Sequence, residues 1–163
     1  MEQVNVHWYV DNVSAHSAEI AIAGLPGVGY VGKLVVDHLI RSLSAMKIAE
    51  ITSTLFPPQM YLNEDAVLHL PCNEIFFVPG INKQTSVIFL AGDYQSTSSE
   101  GHYTLAEEYL RVFDLLGVRR IYTLGGYSIG RMVEHPRVIS AISSSFLREE
   151  VLAVGAVIIP EGP

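Results

Sequence analysis

The chain of 163 residues is long enough for one domain with a sizeable core, and 49% of it is apolar against 17% charged. Its net charge of −7 comes from 17 acidic and 10 basic residues, and the basic ones are scattered, as in Arg119-Arg120 and Arg131, which excludes a basic stripe and with it a nucleic-acid partner. Cys72 is the single cysteine, so an internal disulfide is excluded, and neither a signal peptide at residues 1–10 nor an apolar run of membrane-span length is present. The expectation is a cytoplasmic protein with no membrane partner.

The elements follow in chain order. Val4 to Val10 alternates weakly and reads as an edge strand. Glu19 to Ala23 is a short apolar run ended by Gly24, the form of a buried strand. From Val28 to Leu43 the pattern turns helical, with Val31, Leu34, Val35, Leu39 and Leu43 on one face and Lys33, Asp37 and Arg41 elsewhere. Lys47 to Thr52 reads as the strand that completes a β–α–β unit, whose parallel crossover is right-handed as a rule. Met60 to Leu62, Val67 to Leu70 and Glu74 to Val78 are closely spaced strand-like runs, separated by Asn63-Glu64-Asp65 and Pro71-Cys72-Asn73, which predicts a small antiparallel meander.

Ser86 to Ala91 is another buried strand, followed by a loop rich in Ser and Thr from Asp93 to Glu100. Thr97-Ser98-Ser99-Glu100 has the form of a capping box for the helix that runs to Leu116. Leu105, Ala106, Tyr109, Leu110, Phe113 and Leu116 form its expected buried face, and Gly117 its left-handed cap. Arg120 to Leu124 is a strand leading into Gly125-Gly126. Arg137 to Ile142, Ser144 to Val154 and Ala156 to Ile159 read as strand, helix and strand. Alternating strands and helices imply an α/β fold in three layers, a mostly parallel sheet with helices on both faces.

The segment Gly27-x-Gly29-x-x-Gly32 follows a strand and opens a helix, and it can be read three ways. In a dinucleotide-binding fold such glycines admit a pyrophosphate to the helix N-terminus, with Glu50, 18 residues after Gly32, as the ribose acid. The alternation of its strand makes Glu50 a solvent-facing residue instead. Gly27-x-x-x-x-Gly32-Lys33 is also a phosphate-loop pattern short of one residue, because Leu34 stands where a Mg²⁺-binding hydroxyl is required. The residues favour the third reading, a tight turn and close helix–sheet packing, with anion or partner binding at the helix N-terminus left open.

Four motifs in order carry a family resemblance: Gly24-Leu25-Pro26-Gly27-Val28-Gly29-Tyr30-Val31-Gly32-Lys33; Phe56-Pro57-Pro58-Gln59; Gly92-Asp93-Tyr94-Gln95 with Glu100-Gly101-His102-Tyr103; and Leu124-Gly125-Gly126-Tyr127-Ser128-Ile129-Gly130, continued by His135-Pro136-Arg137-Val138. Over residues 19 to 160 the chain resembles the proteasome assembly chaperone 2 family, in its archaeal branch. The resemblance implies a three-layer αβα fold similar to nucleoside phosphorylases and related hydrolases, self-association into a homo-oligomer, and a role in assembling or escorting proteasome subunits. It also implies a further C-terminal segment after the last strand. The chain stops at Glu161-Gly162-Pro163, so the expectation is a single domain over 1–163 lacking that segment.

The polar and glycine-bearing loops fall beyond the carboxyl ends of strands, where α/β sheets bind ligands. The expected ligand- or partner-binding residues are Pro26, Gly27, Gly29, Gly32, Asp93, Gln95, Glu100, His102, Gly125, Gly126 and Tyr127, with the three loops forming one crevice. Asp93, Glu100 and His102 are the only plausible acid–base set, and each also has a structural reading: a loop cap, a helix cap and an exposed first turn. Ser128 lacks the Gly-x-Ser-x-Gly spacing of a nucleophile elbow. His7, His16, His38, His69, His102 and His135 are dispersed, so no metal, no cofactor and no catalytic set is expected. Phe56, Pro57, Pro58 and Gln59 read as a rigid turn and as an exposed oligomer contact. The expectation is a self-associating scaffold binding other proteins without catalysis. The alternative is a small-molecule-binding protein or a hydrolase- or phosphorylase-like enzyme using the crevice.

Overall fold

The computed structural model describes residues 3–62, 65–80, 85–131 and 134–158. Asn63 and Glu64 of the expected turn, Ile159 and the terminal residues 161–163 lie outside them. Two compact units are present, Met1–Tyr127 and Ser128–Pro163.

The first unit is built on a six-stranded sheet. Its strands are β1 (Val4–Trp8), β2 (Ile20–Gly24), β3 (Met46–Ser53), β6 (Cys72–Val78), β7 (Val87–Gly92) and β8 (Arg120–Thr123), in the order β1-β3-β6-β7-β2-β8. β4 (Tyr61–Leu62) and β5 (Leu68–His69) form a separate antiparallel hairpin. In the main sheet β2, β3, β7 and β8 run in one direction, and β1 and β6 run against them. The unit from β2 to β3 is therefore a parallel crossover, but it passes over β7 and β6 instead of joining neighbours. The third run of the expected meander is not part of the hairpin: it is β6, inserted between β3 and β7. Its near-continuous burial suits a strand covered on both faces.

Two helices cover the two faces. α1 (Val31–Ser42) lies over one, where Val36, Leu39 and Ile40 meet Ile22, Val78, Phe89 and Ala91. α2 (Ser99–Leu115) lies over the other, where Leu116 beyond its end joins Val112 and Phe113 against Ala21, Ile75, Phe77, Ile88 and Leu90. Successive residues of β7 divide between the two cores, as the pleat requires. This is the three-layer αβα arrangement.

α1 is rotated from the face that its large apolar residues define. Val31, Leu34 and Val35 are exposed, and Gly32 and Val36 are buried. The reason is steric. A Cβ on Gly32 would come closer than 3.0 Å to the Leu124 carbonyl, and one on Gly24 closer than 3.0 Å to the Gly32 carbonyl and Val36. The helix presses Gly32 onto the sheet, and Val31, Leu34 and Val35 of the expected face turn outward, while Leu39 and Leu43 stay packed against the core.

Two further expectations shift at α2. The N-cap is Ser98, not Thr97: its hydroxyl accepts from the Gly101 amide at 3.1 Å. Glu100 therefore sits one position too early to close a capping box, and Thr97 donates through its amide to the Leu55 carbonyl at 3.2 Å. Of the expected buried face, Leu105, Phe113 and Leu116 are inside, whereas Ala106 and Leu110 are exposed and Val112 takes a core position. Gly117 is left-handed, with φ +75°, as expected of the cap.

In the second unit, β9 (Ile139–Ser140) and β10 (Val157–Ile158) pair in parallel. The expected helix is a 3₁₀ turn at Ser145–Leu147 running into α3 (Arg148–Ala153). Among the described residues no helix is long and apolar enough to cross a membrane.

Candidate functional site

β7, β2 and β8 are adjacent and parallel, so the loops at their carboxyl ends are neighbours. Gln95, after β7, donates from Nε2 to the Pro26 carbonyl after β2 at 2.5 Å. Gly126, after β8, faces the Val28 carbonyl so closely that a Cβ would overlap it. The structure thus brings together Pro26, Gly27, Gly29, Gln95 and Gly126, with Gly32 beneath the Leu124 carbonyl. Gly125 and Tyr127 lie beside them, both exposed.

The glycine turn itself is shaped by packing. Gly29 and Tyr30 are both left-handed, at φ 62° and 55°, and the Tyr30 amide donates to the Gly27 carbonyl at 3.0 Å. A non-glycine residue there costs conformational energy, and Tyr30 stays exposed. Lys33 pairs with Asp37 at 3.1 Å along the helix. Glu50 lies on β3, separated from β2 by β6 and β7, and is held by Lys47.

The three acid–base candidates engage the backbone. Asp93 Oδ2 accepts from the Cys72 amide at 3.3 Å, and the Asp93 amide donates to the Cys72 carbonyl at 3.0 Å. His102 places Nδ1 2.7 Å from the Ser98 carbonyl oxygen, one turn back on its own helix. Glu100 is an exposed first-turn residue that suits the positive end of α2. Among the described residues no hydrogen bond or ion pair joins any two of them.

The expectation of an exposed Phe56 is overturned, since only 5% of it is accessible. The turn after β3 folds back through Phe56 amide to Ser53 carbonyl (3.4 Å) and Gln59 amide to Pro57 carbonyl (2.8 Å), which directs the ring inward. Pro58 and Gln59 are exposed and Pro57 is half-buried.

Three features escaped sequence reasoning. The first is an apolar groove of about 470 Å³ between α2, β2 and the edge strand β8. Leu25, Leu90, Leu105, Tyr109, Leu110, Phe113 and Ile121 line it, and Gln95, Ser96 and His102 stand among its polar residues. The apolar stripe of α2 was wider than one buried face needs, and Leu110 on that stripe was its available signal. The second is a cross-strand network. Lys47 Nζ lies 2.7 Å from Glu50 and 2.6 Å from Glu74, and Tyr9 donates to Glu50 at 3.1 Å. Burial works against the charged Lys47, yet the hydrogen bonds and charges of both glutamates outweigh it and raise its pKa. Burial likewise pushes Glu50 up, and Lys47 with Tyr9 outweighs that and leaves its carboxyl below the usual range. Glu50, Cys72 and Glu74 place potential ligand atoms within 4.8 Å of one another. Lys47 already holds both carboxylates, and burial pushes the Cys72 thiol up to about 12. The third is Asn73, fully buried, which donates to the Tyr109 hydroxyl and leaves its Oδ1 without a partner. All three depend on strand register, which spacing along the chain does not reveal.

Comparisons with known proteins complete the picture. The chain is 31% identical to PbaB of Pyrococcus furiosus, an archaeal proteasome activator, with a TM-score of 0.89 over 99% of this chain and 68% of that one. PbaA of the same organism, an archaeal homologue of proteasome-assembly chaperone, shares the fold at a TM-score of 0.76 and 22% identity, over 99% of this chain and 62% of that one. An uncharacterized protein of Methanocaldococcus jannaschii is 33% identical over 132 residues, 81% of this chain, which spans half the length of that relative. The model of the PAC2 family matches residues 21–163. With that match over most of its length, the chain belongs to the PAC2 family.

Proposed function

We propose that this protein is a proteasome-associated, chaperone-like scaffold that self-associates and binds other proteins without catalysis. The observation that carries the reading is the chemistry of the three-loop crevice. It presents glycine backbone and amide groups, while Asp93 and His102 are each engaged with main-chain atoms. Such a surface suits shape-based recognition of a partner better than proton transfer, which needs the groups aimed at a substrate. Membership of a family whose solved relatives are proteasome activators and assembly-chaperone homologues supports proteasome subunits as the partner.

The test is co-elution of the purified protein with archaeal proteasome core particles and with isolated α-subunits on size exclusion, at several salt concentrations. A shared peak is expected. Separate elution from both under all conditions would remove the proteasome from the account.

One observation favours the alternative of a small-molecule site: the apolar groove has the volume of a ligand pocket and ends at Gln95, Ser96 and His102. Thermal shift against nucleosides, nucleotides and amphipathic acids separates the readings, since a ligand that prefers the folded state raises Tm.

A further inference from the structure

The turn that opens α1 holds an aromatic residue in a conformation made for glycine. Tyr30 is left-handed at φ 55°, directly after Gly29 at φ 62°. Glycine adopts that region freely, whereas a bulky side chain is strained by it. Ser44 is left-handed too, but it stands just past the end of α1, the usual place for such a residue; Tyr30 precedes a helix, where no cap calls for it. Three contacts fix the turn from outside. Gln95 donates to the Pro26 carbonyl at 2.5 Å, Gly126 closes on the Val28 carbonyl, and Gly32 lies against the Leu124 carbonyl. Strain of this kind persists only where the surroundings over-determine the backbone. The side chain so placed is turned to solvent. Tyr30 is 57% accessible, and among the described residues its hydroxyl makes no hydrogen bond and its ring no ring contact.

We propose that Tyr30 is the anchor side chain for the protein partner of the three-loop crevice, held out by the clamped glycine turn, and that Gln95 is its positioning residue. The inference rests on the partner binding put forward above and names the side chain that delivers it. The surroundings support it. Val28 and Val31 beside Tyr30, and Tyr127 next to Gly126, are each 48% to 57% accessible, so the ring stands in an apolar rim. Residues 25–32 carry no charged side chain, so docking there strips water from no ion. Tyrosine brings a large ring at a small entropy cost, together with a hydroxyl that donates, which is why it recurs at the energetic centres of interfaces. The partner surface that fits is an apolar pocket with a hydrogen-bond acceptor at its end. The clamp orders the backbone under the ring before binding, so less freedom is lost on association.

The experiment measures Tm and, by surface plasmon resonance, the Kd for archaeal proteasome core particles and isolated α-subunits, using the full chain. Tyr30→Gly relieves the backbone and removes the ring. Its Tm is expected to equal or exceed that of the wild type while its Kd rises at least about tenfold, two changes that a merely structural residue does not combine. Tyr30→Phe keeps the ring and is expected to retain most of the affinity. Gln95→Ala is expected to weaken binding about threefold in the wild type and to change nothing in Tyr30→Gly, where no ring is left to position. Wild-type affinity in Tyr30→Gly overturns the anchor and leaves partner binding standing. A Tm that falls together with the affinity means that the ring serves the fold, and overturns it as well. An equal effect of Gln95→Ala in both backgrounds overturns the positioning role. A wild type that binds neither core particles nor α-subunits overturns the anchor and the proteasome reading together.

Discussion

Two glycine positions set how closely α1 approaches the sheet. Gly24, on β2, and Gly32, on α1, occupy one line of contact that ends at the Leu124 carbonyl. A methyl group at Gly32 meets backbone on the far side, which cannot rotate away, so the helix itself must move. Gly32→Ala is expected to cost roughly 1–3 kcal/mol, the usual range for overpacking a tight contact. Gly125 is the internal control, because nothing lies within 4 Å of a Cβ there and its φ is not positive. Gly125→Ala is expected to change stability by less than about 0.5 kcal/mol. Urea unfolding of both variants measures the difference. Equal losses would mean that the α1–β8 contact is looser than its geometry implies. The same residues explain why the glycine motif admits a dinucleotide reading on paper. Its spacing allows a phosphate to approach, and here a carbonyl of the protein makes the approach to Gly32.

Element types were legible along the chain, whereas faces and partners were not. Short apolar runs beside glycine identified β2 and β7 because a doubly covered strand has no polar alternation to confuse with a helix. The outward stripe of α1 was misread because hydrophobic patterning counts large side chains and is blind to a glycine that sets the contact. The insertion of β6 between β3 and β7 is a pairing between segments far apart in sequence, and nothing in local spacing encodes it. That the three loops are neighbours was legible in outline, since strand ends in a parallel sheet lie side by side. The groove lined by α2 was not, because it exists only once β8 is known to be an edge. The start of α2 offers a direct test of where local rules place a boundary. Ser98→Ala removes the hydroxyl that accepts from Gly101 and is expected to cost about 1 kcal/mol. Thr97→Ala keeps the amide bond to Leu55 and loses only a 3.4 Å side-chain contact, so it is expected to cost less than half as much. Thermal denaturation of the two variants orders them, and a larger loss for Thr97→Ala would restore the capping box.

At the scale of the whole molecule, one network of charged and hydrogen-bonding side chains gathers where β1, β3 and β6 meet. Lys47 joins Glu50 and Glu74, and Tyr9 adds a hydrogen bond from residue 9. The sign of the resulting pH dependence follows from the two shifts. Glu50 is depressed when folded, so its contribution is present above its ordinary 4.5 and is lost as pH falls through the lower folded value. Lys47 is raised, so its contribution is complete below its ordinary 10.5 and is lost only as pH climbs through the higher folded value. The network is therefore fully formed across neutral pH and weakens first on the acid side. Glu50→Gln isolates that effect, because it replaces the one carboxylate that joins Lys47 and Tyr9 and leaves the rest of the sequence unchanged. The variant is expected to melt below the wild type at pH 7, and the gap in Tm is expected to narrow as pH falls below the ordinary 4.5, where the contribution of the depressed carboxyl begins to be lost. Melting curves at half-unit pH steps test this. A gap that stays constant to pH 3 would mean that the Gln side chain perturbs packing and that the Lys47 pairing contributes nothing measurable, as is common for half-exposed ion pairs.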